Sequence, residues 1–201
     1  MCPEGKAVLH GIDRADSVAL DPHKSLFLPY GTGAVLVREG RKLHDAFRAD
    51  ADYIQSLLDE VDELSPADLS PELTKHFRGL RLWLPLKLLG VMPFRAALTE
   101  KIKLAWHFHE QVRSLRGFEA GPFPDLSIVT YRYVPQRRDA DEFNRRLMHA
   151  IQRDGRIFIS STRLDGKFVL RAAILCFRTH LDEVAETIET LRRKVVQLEQ
   201  E

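Results

Sequence analysis

Residues 17–37, SVALDPHKSLFLPYGTGAVLV, alternate short apolar runs with residues that favour turns. Ser17–Leu20 is predicted to be a buried strand, and Ala34–Val37 a second strand that follows the turn-forming residues 29–33. A polar stretch that joins two strands lies at the edge of a sheet, where α/β proteins commonly build their sites. The sequence therefore predicts an α/β fold with residues 21–24, DPHK, at such an edge.

Lys24 lies between two apolar runs, SVAL and LFL, in a segment that is predicted to be mostly buried. A buried ammonium is costly unless a neighbour neutralises it. A lysine that forms a Schiff base must be a neutral amine when it attacks, so its pKa must be lowered. The residue has two interpretations: a cofactor-bearing lysine with a lowered pKa, or a strand-end lysine whose ammonium reaches solvent or pairs with Asp21.

The chain beyond this segment predicts a long loop followed by a compact α+β layer. Residues 40–76 are rich in Asp, Glu, Ser and Pro. Apart from a short helix at 41–47 we expect a loop there, which in compact domains is often a lid or a binding loop. A further helix is expected from Pro71, with Ser70 as its N-cap. From residue 94 onward the predicted elements are helix 94–115, strand 126–134, helix 141–153, strand 156–160, strand 168–175 and helix 181–198.

The composition argues against several classes of protein. The 30 basic and 29 acidic side chains leave a net charge of +1, which gives no field that would attract nucleic acid or an acidic membrane. Cys2 and Cys176 are too few for a disulfide framework, and Cys176 is predicted to lie buried in a strand. No segment approaches the ~20 apolar residues needed to cross a bilayer, and His107 and His109 point to different sides of a helix. We expect a cytoplasmic protein with no metal, nucleic-acid or membrane partner.

Three segments point to a family when they are taken in their order along the chain. They are ADS (15–17) with DPHK (21–24) and the glycine turn after it, LTKHFRGLRLW (73–83), and KFVLR (167–171). They resemble the C-terminal portion of the pyridoxal-phosphate-dependent group II amino-acid decarboxylases, the family that includes aromatic-amino-acid and glutamate decarboxylases. The resemblance implies that residues 1–92 are the end of a fold-type-I large domain, with the cofactor lysine and the catalytic loop. It implies that residues 93–201 are the small C-terminal α+β domain.

The resemblance also implies roles for four residues. Lys24 would hold pyridoxal 5'-phosphate as a Schiff base, and His23 would lie against this cofactor. Tyr53, in the catalytic loop, would donate a proton to the substrate carbon after carbon dioxide leaves. Asp21 is the third predicted cofactor-binding residue, although many family members have an asparagine there as a phosphate contact. Because a carboxylate beside a phosphate is repulsive, Asp21 could instead face away or pair with a basic group.

The implied activity is that of a carboxy-lyase that converts an L-amino acid to its amine, as a homodimer. In the family, the ring-stacking histidine, the carboxylate that pairs with the pyridine nitrogen and much of the phosphate cup precede the lysine by many residues. Only 23 residues precede Lys24 here. We therefore predict a fragment that binds the cofactor weakly and does not decarboxylate alone, with a separately encoded N-terminal chain as a possible complement. One alternative is an inactive dimerisation or assembly module. Another is a lyase of the same superfamily that cleaves a carbon–carbon bond in a phosphorylated amino alcohol, and the Tyr53 loop argues against this second alternative.

Overall fold

The structure is a computed structural model, and it describes residues 2–47 and 66–201. The described residues fall into two compact units. The C-terminal unit comprises the described part of Met1–Leu9 together with Val91–Glu201, and the hairpin unit is the described part of His10–Gly90. The first helix, α1 (Pro3–Val8), thus belongs to the C-terminal unit. The domain boundary near residue 92 stays a prediction.

The hairpin unit is built on a two-stranded antiparallel sheet. Its elements are β1 (Ser17–Leu20), α2 (Pro22–Ser25), β2 (Ala34–Val37), α3 (Gly40–Phe47) and α4 (Gly79–Leu89), with 3-10 turns at Ile12–Arg14 and Pro66–Leu69. Ser17 pairs with Val37 and Leu20 with Ala34, so both predicted strands are present, but Ser17–Leu20 is not buried as predicted: its residues alternate exposed and half-buried. The polar stretch between them begins with a single helical turn, α2, because Pro22 has the backbone angle that the first helical position needs.

The helix predicted from Pro71 begins instead at Gly79. The polar residues before it contact one another rather than forming a helical turn. Arg78 forms an ion pair with Glu72 at 2.6 Å. The ammonium of Lys75 donates to the carbonyl of Pro66 at 2.8 Å and also to the Ser70 hydroxyl. The Ser70 hydroxyl, predicted to cap the helix, therefore accepts a hydrogen bond from Lys75 instead. The helix begins only at Gly79, where the apolar run starts.

Helix α4 buries none of its residues. Its exposed apolar side chains are Leu80, Trp83, Leu84, Leu88 and Leu89. No single helix in the described ranges is long and apolar enough to span a membrane. Gly79–Leu89 and Met92–Ser114 meet the length and composition of a span only as a bent pair. An exposed apolar helix face of this kind is typical of surfaces that contact other protein.

The C-terminal unit is an α+β layer, as its sequence predicted. Its further elements are α5 (Met92–Ser114), β3 (Phe118–Ala120), β4 (Ile128–Tyr133), α6 (Ala140–Asp154), β5 (Ser160–Leu164), β6 (Lys167–Ala173) and α7 (Leu181–Gln200). The strands form an antiparallel sheet in the order β3-β4-β6-β5. Helices α5 and α6 pack on this sheet, and α7 packs against both helices. A single cluster of buried apolar side chains, among them Phe108, Val129, Leu147, Leu170 and Leu191, fills the space between these elements.

Two strands of this unit differ from the prediction. The strand expected at 156–160 lies at Ser160–Leu164, because Leu164 pairs with Lys167 directly across a two-residue turn. Both turn residues, Asp165 and Gly166, have positive φ angles of 48° and 78°, as a type I′ hairpin requires. The turn thus sets the register and carries the strand up to Leu164. Strand β3 was not predicted, since three residues are too few to show a periodicity.

The position of Cys176 was also predicted wrongly. Strand β6 ends at Ala173, so Cys176 falls in the connection to α7 and is exposed, whereas Cys2 is buried. Both cysteines are free thiols. Within residues 2–47 and 66–201, no group of three or more His, Cys, Asp or Glu side chains is arranged to hold a metal ion.

Candidate functional site

Three of the four predicted site residues lie together on the single turn of α2 and its N-cap. Asp21 is the N-cap residue, and His23 and Lys24 follow Pro22 within the turn. Residues three apart on a helix are neighbours, so the turn itself brings Asp21 to Lys24. The fourth residue, Tyr53, lies outside the described residues, and its role stays a prediction.

Lys24 and Asp21 form an ion pair. Lys24 Nζ lies 2.6 Å from Asp21 Oδ2, and the two side chains are 56% and 47% exposed. The hydrogen bond that Lys24 donates to Asp21 is the main cause that raises the pKa of Lys24 above its usual 10.5. The same bond lowers the pKa of Asp21 below its usual 3.8. The expectation that Lys24 is buried with a lowered pKa is therefore wrong for this structure, because the two apolar runs beside it do not enclose it. The arrangement of the alternative interpretation is present instead: the ammonium reaches solvent and pairs with Asp21.

The His23 ring is held in one orientation. Its Nδ1 lies 2.8 Å from the carbonyl oxygen of Thr32. Because a carbonyl can only accept, Nδ1 carries the hydrogen, and Nε2 of the neutral ring is an acceptor. Thr32 is itself buried, and its hydroxyl donates to the carbonyl of Pro29 at 2.9 Å. The ring of Tyr30 packs against His23 with 4.9 Å between ring centroids.

Two residues that support this site were not predicted. Thr32 orients His23 through its backbone, and Arg81 donates from Nη1 to the carbonyl of Tyr30 at 2.9 Å. Arg81 therefore fixes the glycine turn from 51 residues away in sequence. It lies in the segment LTKHFRGLRLW, whose resemblance to the family was the one signal that could have singled it out.

The residues that are present suit the covalent attachment of an aldehyde cofactor. Lys24 offers a primary amine that solvent can reach, and Asp21 contacts it and stabilises its charged form. His23 adds an oriented imidazole one residue away. The Asp21 carboxylate pairs with a basic group, which was one of the two arrangements expected for it, and a carboxylate does not suit a phosphate. The donor set thus fits the aldehyde end of such a cofactor better than its phosphate end.

Comparison with known proteins gives consistent matches over the chain. Residues 1–134 match the family model described as the pyridoxal-dependent decarboxylase conserved domain. The chain is 34% identical to the aromatic-L-amino-acid decarboxylase of Bacillus atrophaeus, over 94% of this chain and 40% of that protein. It is 32% identical to tyrosine decarboxylase 2 of Arabidopsis thaliana, over 96% of this chain and 36% of that protein.

A solved structure is also similar over nearly the whole chain. The crystal structure of Oryza sativa TDC with PLP and tryptamine superposes with a TM-score of 0.86 at 26% identity. The match covers 98% of this chain and 42% of the Oryza protein. The chain therefore spans about two fifths of the length of the relatives that it matches.

Proposed function

This chain belongs to the pyridoxal-dependent decarboxylase family, and on that premise we propose that it carries the cofactor lysine of an amino-acid carboxy-lyase. The reaction is the decarboxylation of an L-amino acid to its amine, with pyridoxal 5'-phosphate as the cofactor and Lys24 as the residue that holds it. The observation that supports this proposal is the position of Lys24: its amine is accessible to solvent, and it directly follows His23, whose ring is oriented by the Thr32 carbonyl.

The same proposal includes the domain identity of the two units and the assembly of the protein. The hairpin unit is the end of a fold-type-I large domain, and the C-terminal unit is the small domain. In its complete form the protein is a cytoplasmic homodimer. The exposed apolar face of α4 supports an assembly, because a face with no buried residue is stabilised when other protein covers it.

Each residue of the site has one task in this proposal. When bound, pyridoxal phosphate supplies an electron sink for the electron pair that departing carbon dioxide leaves behind. Lys24 binds the cofactor through its amine, which must lose a proton first. Asp21 sets the pH at which this happens, because its hydrogen bond stabilises the ammonium. His23, with its Nδ1 engaged by Thr32, presents the other edge of its ring to the cofactor. Tyr53 delivers a proton to the substrate carbon.

The experiment that tests the proposal is chemical trapping on the full chain. The protein is incubated with pyridoxal phosphate and reduced with sodium borohydride, and its peptides are mapped by mass spectrometry. We expect the pyridoxyl group on Lys24, and its loss in Lys24→Ala. Lys42 is a matched control, because it is 63% exposed and pairs with Glu39 three residues away at 2.9 Å. Equal labelling of Lys24 and Lys42 would reject the cofactor site.

Turnover is measured on the same protein with a panel of L-amino acids. The relatives named above act on aromatic amino acids by name, so tryptophan, tyrosine and phenylalanine come first, with glutamate as a non-aromatic member. We expect the chain alone to be labelled at Lys24 but to form no amine. Amine formation should be restored when the chain is mixed with a second chain that supplies the preceding parts of the family's site. Amine formation by this chain alone would overturn the expectation that it needs a complement.

The second candidate is a catalytically inactive module that serves dimerisation or assembly. One observation favours it: α4 buries none of its residues and exposes apolar side chains that a second copy of the chain would cover. In that case borohydride gives no selective adduct on Lys24, while sedimentation shows a dimer. Trp83→Asp, which places a charge on the 58% exposed side chain at the centre of the α4 face, would then shift the dimer to monomer.

A further inference from the structure

A groove of about 1140 Å³ crosses one end of the C-terminal unit, where α5 and β4 end and the last turns of α7 pass. We call it the arginine groove, since four arginines line it: Arg116, Arg137, Arg138 and Arg192. All four side chains are exposed. Glu199 is the carboxylate that lines the groove with them, so positive charge predominates.

Among the described residues, two of these arginines have structural partners and two have none. Arg138 donates to the carbonyl of Leu198 at 2.7 Å, and Arg192 lies 3.8 Å from Glu189. In the described part of the chain, neither Arg116 nor Arg137 has a hydrogen bond or a carboxylate within ion-pairing distance. The end of α5 directly before Arg116 favours a cation there through the helix dipole.

The same groove exposes apolar side chains between its arginines. Val196 is 56% exposed and Val134 is 37% exposed, and both line the groove. Val195 and Leu115 also line the groove and belong to the buried core, so part of its lining is continuous with that apolar core. An occupant that stabilises this surface must therefore offer both negative charge and apolar contact.

We propose that the arginine groove binds an acidic, partly apolar segment of a partner protein. Guanidinium groups match carboxylates in charge and in planar geometry, which suits aspartate and glutamate side chains at Arg116 and Arg137. The exposed valines match leucine- or valine-like side chains of the same segment, whereas a polyphosphate or a nucleic-acid backbone offers nothing apolar to them. The volume also exceeds that of typical small-molecule pockets, which are about 300–1,000 Å³.

A designed peptide tests the proposal on the full chain. The probe is a fluorescein-labelled peptide in which glutamate and leucine alternate, and binding is followed by fluorescence anisotropy. We expect saturable binding that weakens as salt is raised from about 0.05 to about 0.5 M. In the double variant Arg116→Gln/Arg137→Gln, affinity should fall about tenfold or more. Val196→Asp should weaken binding as well, because it removes an apolar contact and adds a like charge.

The controls separate this surface from general charge effects. Arg95→Gln/Arg153→Gln removes two exposed arginines from the same unit and should leave the affinity within about twofold. Absence of saturable binding, or equal weakening in both double variants, would overturn the proposal. Competition by inorganic tripolyphosphate at the same charge concentration as the peptide would overturn it too, since a simple anion site would then suffice. Lys24→Ala should bind the peptide unchanged, so the result is independent of the cofactor site.

Discussion

The ammonium of Lys24 donates a hydrogen bond to the carboxylate of Asp21, with 2.6 Å between Nζ and Oδ2. The two residues are three apart on one helical turn, so the local backbone alone holds them together. Both side chains are about half exposed, and solvent therefore screens their attraction. The contact nevertheless favours the charged amine, which is the unreactive form towards an aldehyde.

Asp21→Asn should make Lys24 more reactive at mildly alkaline pH. Asp21 raises the pKa of the Lys24 amine, so its removal returns that pKa towards 10.5 and leaves more neutral amine at any pH below it. The pH profile of pyridoxyl labelling of Lys24, trapped with borohydride and quantified by mass spectrometry, should shift to lower pH. Glu39→Gln removes the matching partner of Lys42 and should leave the Lys24 profile in place. Superimposable profiles for Asp21→Asn and the unaltered chain would contradict the role given to Asp21.

Local patterns in the sequence were sufficient to predict most elements, but not the environment of the site. The hairpin strands were predictable from short apolar runs bounded by turn residues, and the last helix from the regular spacing of its apolar side chains. The exposure of Lys24 was not predictable, because apolar neighbours in sequence do not ensure cover in space. Strand β1, for example, alternates exposed and half-buried residues. The contact of Arg81 with Tyr30 joins positions 51 residues apart, which no short pattern encodes.

Tyr131→Phe should leave the fold as stable or make it more stable. Tyr131 is 1% exposed and packs edge-on against Phe108, with 5.3 Å between ring centroids. Its hydroxyl has no hydrogen-bond partner among the described residues, and burial raises the pKa of this group. Removing an unsatisfied buried hydroxyl should change the free energy of unfolding by about 0 to +2 kcal/mol. Urea unfolding followed by circular dichroism measures it, and a loss of more than about 1 kcal/mol would mean that the hydroxyl has a stabilising partner.

Lys101→Met should destabilise the C-terminal unit markedly. The Lys101 side chain is 3% exposed, and its ammonium contacts Glu100 at 2.9 Å, the carbonyl of Phe177 at 3.3 Å and the carbonyl of Thr179. These bonds hold the connection between β6 and α7 against α5. Methionine leaves both carbonyls without this donor, so we expect a loss of about 2–4 kcal/mol in the free energy of unfolding.

Lys103→Met is the matched control for this variant, because Lys103 lies on the same helix and is exposed. It should change the free energy of unfolding by less than about 0.5 kcal/mol. Urea unfolding of the two variants side by side gives the comparison. Similar losses in both would mean that the Lys101 contacts do not stabilise the connection.

Glu100→Gln should flatten the dependence of stability on acid pH. The Glu100 carboxylate lies 2.7 Å from Nδ1 of His180 and 2.9 Å from the Lys101 ammonium. The hydrogen bond with His180, and to a smaller extent the one with Lys101, lowers the pKa of Glu100 below its usual 4.5. A carboxyl whose pKa is lower in the folded state stabilises the fold above its unfolded pKa, and this stabilisation is lost as the pH falls through the folded value.

The unaltered chain should therefore lose stability more steeply than Glu100→Gln between about pH 5 and pH 3, because only the unaltered chain takes up this proton on unfolding. Urea midpoints measured at several pH values across this interval give both curves. The other carboxylates titrate in both proteins, so the difference between the curves isolates Glu100. Parallel curves would show that the carboxylate is not coupled to His180 and Lys101 in the folded state.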